Sequence, residues 1–208
     1  MHFEDDELYR AITDHAHRTP TWVQHTAETW TEAGLLLFGA LFITTWWRAR
    51  RRTPRAFAIA ALAPLATAMA YLCSELLKSA VTQERPCRAV PGATALSSCP
   101  PPGDWSFPSN HATIAGAAAV TLALTARALL WLTAPLALLM AFSRVFVGVH
   151  YPHDVVAGLV LGALAAPLVV RLATGPAVRL TEAMRTASAP GFARWLTGRG
   201  EPRPPYRG

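Results

Sequence analysis

The sequence predicts an all-α integral membrane helical bundle of about five transmembrane helices, with a short N-terminal helix on the membrane surface. Two observations carry most of that prediction. Apolar residues fill 52% of the 208 positions and charged residues only 15%, against roughly 25% charged in ordinary soluble domains. The charge is also segregated. Seven acids and two basic residues precede Gly34, five arginines and no acid lie from Arg48 to Arg55, and seven arginines against two glutamates follow Asp154. Such blocks set membrane topology. A nucleic-acid binder would show a basic stripe with interleaved aromatics, and there is none. The acidic N-terminus lacks an early apolar core, so no secretory signal peptide is predicted, and no internal repeat is visible.

Residues 1–19 form the surface segment, with an apolar beat at Phe3, Leu8, Ile12 and Ala16. Residues 20–173 form the transmembrane domain. Pro20 can open its first helix. Trp22, Trp30 and the Trp46-Trp47 pair frame this helix like an interfacial belt. Its strictly apolar part, Gly34 to Trp47, spans a ~30 Å hydrocarbon layer only if Trp22 to Ala33 is included. The Arg48–Arg55 block belongs in the cytoplasm. A second span follows from Ala56 to Leu77, with a kink expected at Pro64. Residues 78–108 are a polar loop. Further spans run from His111 to Thr125, Leu129 to Val147 and Val155 to Ala173, with Arg127 marking a tight turn. The tail, 174–208, is expected to be basic, cytoplasmic and partly disordered. The N-terminus is then outside and the C-terminus inside, and three polar clusters fall on the outer face.

In the first cluster, Lys78 is the one lysine of the chain, and Arg85 follows seven residues later. Seven residues make about two helical turns, so both cations could serve one site. A point charge and a planar fork together suit a phosphate. The blander reading of Lys78 is a side chain snorkelling from a helix end. The second cluster is Phe107-Pro108-Ser109-Asn110-His111. Ser109 or Asn110 can cap the following helix, whose free N–H groups cradle anions. His111 could protonate a leaving oxygen. The third cluster is Ser143-Arg144 through His150-Tyr151-Pro152-His153-Asp154. His150 and Asp154 are four apart, so on a helix or helical turn they share a face. A carboxylate beside an imidazole makes one ring nitrogen a better nucleophile, and Arg144 offers a second fork for phosphate. His153 is set aside. Nothing arranges these histidines as a closed ligand set, so no metal and no other cofactor is expected. Cys87 and Cys99 could form a disulfide in an outward-facing loop, worth roughly 3 kcal/mol at most, or remain two free thiols.

The three clusters, in order, resemble the three motifs of the type 2 phosphatidic acid phosphatase superfamily. Lys78 with Arg85-Pro86 matches the first, Pro108-Ser109-Asn110-His111 the second, and Ser143-Arg144, His150 and Asp154 the third. Asn110 stands where the second motif usually has glycine. The resemblance implies that His150 attacks phosphorus, that Asp154 orients it and that His111 protonates the leaving group. Lys78, Arg85, Ser109, Asn110 and Arg144 would hold the phosphate. Within the superfamily the chain resembles undecaprenyl-diphosphate phosphatases of the bacitracin-resistance type, which implies a lipid diphosphate substrate in a bacterial plasma membrane. Phosphatidic acid and phosphatidylglycerol phosphate are alternative substrates. A transporter of anions or lipid phosphates is the competing class, and it would place polar residues at mid-membrane.

Overall fold

The structure, a computed structural model, describes residues 2–186 and 189–198, with side chains from Asp5 onward. Every regular element among them is helical. The helices are α1 (His2–Arg18), α2 (Thr21–Ala49), α3 (Pro54–Ala80), α4 (Pro86–Ala89), α5 (Asn110–Thr125), α6 (Leu130–Phe146), α7 (Pro152–Met184) and α8 (Gly191–Thr197), with a 3-10 turn at Arg127–Leu129.

Helix α5 is the axis of the bundle and packs against α2, α3, α6 and α7. Its sequence explains the position. Ala112, Ala115, Gly116, Ala117, Ala118 and Ala119 are all buried, so neighbouring backbones approach closely. A Cβ on Gly116 would stand 2.5 Å from the Leu159 carbonyl oxygen, and one on Gly158 the same distance from that of Ser109. One on Gly162 would collide with the backbone of Thr113. The α5–α7 contact is therefore backbone against backbone, and it locks together the two helices whose N-termini carry His111 and Asp154.

The outer flank of the bundle is apolar. Leu36, Ile43, Leu65, Leu76, Leu138, Leu164 and Leu172 are each more than 60% exposed. Such a belt would aggregate in water and is at home in lipid. By length and apolarity, three stretches qualify as membrane spans among the described residues: α3, Arg127–Phe146 and α7. The other two expected spans fall short for separate reasons. Helix α2 has 29 residues, but Gln24, Glu28 and Glu32 make its first half polar. Helix α5 has only 16 residues. Both nonetheless pack inside the same bundle.

Helices α1, α3 and α7 add detail to the expectation, and α7 corrects a boundary. Helix α1 does not bury Leu8, which is 51% exposed. It buries Tyr9, Thr13 and Ala16, because the Tyr9 hydroxyl donates to the Gly148 carbonyl at 2.9 Å. The Phe3 side chain lies outside the described part. Helix α3 carries Pro64 inside one helical run from Pro54 to Ala80. Helix α7 does not stop at Ala173 but continues to Met184, and α8 folds back onto the end of the bundle. The described residues of the tail are therefore mostly helical. Arg185 ties them to the bundle: its guanidinium donates to the carbonyls of Arg52 at 2.8 Å and Thr197 at 2.9 Å. Arg50 adds to this by lying over the rings of Trp47 at 4.4 Å and Trp195 at 5.1 Å.

Candidate active site

The end of α3, the start of α5, the end of α6 and the start of α7 meet at one pole of the bundle. His150 lies there, in the turn between α6 and α7, and is 1% exposed. Gly148 makes that turn with φ 86°, and a Cβ on it would stand 2.8 Å from Ala95. Nδ1 of His150 is 3.4 Å from Asp154 Oδ2, and Arg85 Nη1 donates to Nε2 at 3.1 Å. These partners assign the tautomer: the proton sits on Nδ1 and the lone pair on Nε2. Burial pushes the His150 pKa down to about 4, helped by the charges of Arg85 and Arg144 and opposed by Asp154. The ring is neutral at pH 7.

Asp154 is fully buried. Its Oδ2 accepts the Tyr151 N–H at 2.9 Å, closing the start of α7, and also accepts the Ser106 hydroxyl. Its Oδ1 lies 3.0 Å from His153 Nε2, whose other nitrogen is 3.1 Å from an Asp5 carboxylate oxygen. His153, set aside on sequence, is thus the neighbour of the second Asp154 oxygen.

Lys78 and Arg85 do converge, though not along one helix. Helix α3 ends at Ala80, the chain turns, and Arg85 caps α4. Both side chains meet on Asp104. Lys78 Nζ is 3.1 Å and Arg85 Nη2 2.8 Å from its Oδ1, and Arg85 Nε donates to its backbone oxygen at 2.8 Å. Burial alone would raise the Asp104 carboxyl; the hydrogen bonds and charges of Arg85 and Lys78 outweigh it and hold the group below the usual range.

Arg144 is buried near the end of α6. Its Nη1 donates to Thr31 Oγ1 at 2.7 Å and stands 3.8 Å from Glu32, while its Nε has no partner among the described residues. Ser109 occupies the cap position of α5, but its hydroxyl makes no capping bond and is buried without a partner. Its N–H instead donates to the Asp154 carbonyl at 3.1 Å, so the side chain does not cap as expected. Asn110 is turned toward α3: it accepts from Ser74 Oγ at 2.7 Å and donates to Glu75. Its side chain is thus engaged by α3, and only its helix-terminal N–H faces the start of α5. His111, in the first turn of α5, lies within electrostatic reach of Arg144, His150, Lys78 and Arg85. Cys87 and Cys99 are joined in a disulfide, with Cα atoms 6.1 Å apart. Among the described residues no three His, Cys, Asp or Glu side chains stand close enough to share a metal ion.

Sequence reasoning missed Asp104, Ser106, Asp5 and Thr31. A signal existed only for Asp104, the one carboxylate between Glu84 and Asp154. The others reach the site only through packing.

Fold and site together define an all-helical, lipid-facing bundle whose polar groups gather at one pole around a neutral, carboxylate-held histidine and three cations. Residues 59–175 match the PAP2 superfamily, and the chain belongs to that superfamily. It is 38% identical over 119 residues to an undecaprenyl-diphosphatase of Sulfolobus acidocaldarius, an alignment covering 56% of this chain and 57% of that one. It is 30% identical over 132 residues to the bacitracin transport permease protein BcrC of Bacillus licheniformis, covering 64% and 63%. The chain thus spans about three fifths of each of these relatives. Its fold is similar to the crystal structure of a PAP2-type phosphatidylglycerolphosphate phosphatase of Bacillus subtilis, with TM-score 0.60, 22% identity, and 81% and 84% of the two chains covered.

Proposed function

We propose that this protein is a metal-independent lipid phosphatase that removes the terminal phosphate of an isoprenoid lipid diphosphate, converting undecaprenyl diphosphate to undecaprenyl phosphate and inorganic phosphate. Its place is the bacterial plasma membrane, with the site on the outer face, where the reaction recycles the cell-wall carrier lipid. One observation carries the reading: a buried, neutral His150 with its Nε2 lone pair among the cations and its Nδ1 toward Asp154. The membership in the PAP2 superfamily and the undecaprenyl-diphosphatase relative support it.

The proposed steps use this geometry. Nε2 of His150 attacks the terminal phosphorus. The bond from phosphorus to the bridging oxygen breaks, and His111 gives that oxygen its proton. A water then attacks the phosphohistidine, His111 takes the water's proton, and phosphate leaves. Lys78, Arg85, Arg144 and the α5 N-terminal N–H groups hold the equatorial oxygens, where charge must be stabilised. Asp154 is polarising and orienting: the imidazole gains positive character as it attacks, and the carboxylate offsets it.

The test is phosphate release by purified protein, in detergent with EDTA, from undecaprenyl diphosphate, undecaprenyl phosphate, phosphatidic acid and phosphatidylglycerol phosphate, beside His150→Ala. Preference for the diphosphate and a loss of about 10⁴-fold or more in the variant are expected. Full activity in His150→Ala would sink the nucleophile. Preference for a glycerophospholipid would move the protein into phospholipid metabolism, and no release from any lipid would favour transport.

A further inference from the structure

We propose that Asp104 is a specificity-determining residue. Its carboxylate is a resident counter-anion in the phosphate cradle. It yields Lys78 and Arg85 to a doubly charged terminal phosphate, and not to the singly charged phosphodiester headgroups of bulk membrane lipids. The proposal rests on the phosphatase reading above and names what that site refuses.

In the resting site Lys78 and Arg85 are already paired with Asp104. Arg85 spends Nη2 and Nε on Asp104, and Nη1 on the Val149 carbonyl and His150 Nε2. The attacking nitrogen is therefore covered by the same guanidinium that Asp104 holds. Lys78 is held by the same carboxylate oxygen as Arg85. An incoming phosphate must take these donors from Asp104, and once Arg85 turns to the phosphate, Nε2 is free to attack.

Asp104 can leave where the cations cannot. Its side chain is 43% exposed, against 8% for Lys78 and 4% for Arg85. It borders an open cavity of about 340 Å³ lined by Glu75, Lys78, Ser79, Gly103, Asp104 and Trp105. The segment bearing it is held on both sides. Cys99 is tied by the disulfide, and the Ser106 N–H donates to the Gln83 carbonyl at 2.8 Å. Gly103, with φ 90°, precedes it. The carboxylate thus hangs on a short span and can swing into the cavity without disturbing Ser106 or the His150–Asp154 pair.

Charge decides what displaces it. A phosphodiester carries one negative charge, as Asp104 does, so the exchange gains no Coulomb energy. A terminal phosphate carries about 1.5 to 2 negative charges and three oxygens, so it gains on both counts. A site at a membrane surface meets phosphodiesters in large excess over its substrate. A resident carboxylate screens them out without a steric gate.

The test compares the wild type with Asp104→Asn, which keeps the shape and removes the charge. Inhibition of undecaprenyl diphosphate hydrolysis by phosphatidylglycerol is read in mixed micelles, with neutral detergent as the dilution control. The expected result is a wild-type KM that barely moves and a variant whose KM rises about tenfold over the same range. Inorganic phosphate should inhibit the variant about tenfold more tightly. Equal resistance of both proteins to phosphatidylglycerol would overturn the proposal. Phosphate binding by calorimetry decides the matter without turnover: tighter binding to the variant supports the proposal, and equal, weaker or undetectable binding to it overturns it. That arm stands even if undecaprenyl diphosphate proves not to be the substrate, an outcome visible in the wild type alone.

Discussion

The bundle carries arginines at both poles, and the two sets are held in opposite ways. At the site pole, Arg85 and Arg144 lie 4% and 6% exposed. Arg85 bonds a carboxylate, an imidazole and two backbone carbonyls, while Arg144 bonds a hydroxyl and stands 3.8 Å from Glu32. At the other pole, Arg50 lies over three tryptophan rings and Arg185 caps backbone carbonyls. No carboxylate lies within ion-pair distance of either among the described residues. The guanidinium is the same and its use is not. Stacked on indoles and spent on carbonyls, it ties a helix end to the membrane interface. Buried beside an imidazole and other cations, it has the chemistry to hold an anion.

Substitutions at the two poles should therefore behave differently. The largest effect belongs to Asp154→Asn, which removes the charge that polarises His150 but keeps a similar shape. The kcat should fall by roughly 10³ to 10⁴. The pH profile gives the sign check. His150 must be unprotonated to attack, so wild-type kcat/KM should fall as pH drops through about 4. Asp154 opposes the downward shift of that imidazole, so the acid limb of the residual Asp154→Asn activity should move lower still. A limb that moves up would mean that another group sets it.

Next comes the pairwise contrast of Arg85→Lys and Arg50→Lys. Lysine keeps the charge but loses the fork. Arg85→Lys should cost roughly 10² to 10³ in kcat, because the guanidinium engages the phosphate at several points. Arg50→Lys should leave kcat within about twofold and lower stability by about 1 kcal/mol, read as a fall in Tm. Equal kinetic losses at both poles would break the distinction. The smallest perturbation sharpens the assignment of faces. A cysteine at exposed position 98, in a background without the native cysteines, should react with an impermeant thiol reagent in intact cells. Protection until lysis would reverse the outward orientation of the site.

Much of the site was legible because its residues stand out locally. Lys78, Arg85, His111, Arg144, His150 and Asp154 are polar or charged groups at the margins of apolar runs, but His150 meets Asp154 from the turn before α7 rather than from one helical face. Asn110 shows the limit. Sequence marked the position as a departure from the usual glycine, but not that its amide would be spent on Ser74 and Glu75, 36 and 35 residues away. Helix α1 shows another. Its apolar beat gave no sign of Tyr9, which the bundle buries through a bond to Gly148, 139 residues distant.

The sequence by itself determined a lipid-facing helical bundle and the order in which its polar clusters occur. Those properties follow from composition, apolar run length and the placement of charge, all of which act over a few turns of chain. Only the tertiary structure decided that Asp104 sits between Lys78 and Arg85, that His153 and Asp5 back the second oxygen of Asp154, and that the described residues beyond Ala173 reach the opposite pole. Each of these depends on where the close packing of α5 against α7 sets the helix ends. That register is written in backbone contacts at Gly116, Gly158 and Gly162, which no local pattern of residues reveals.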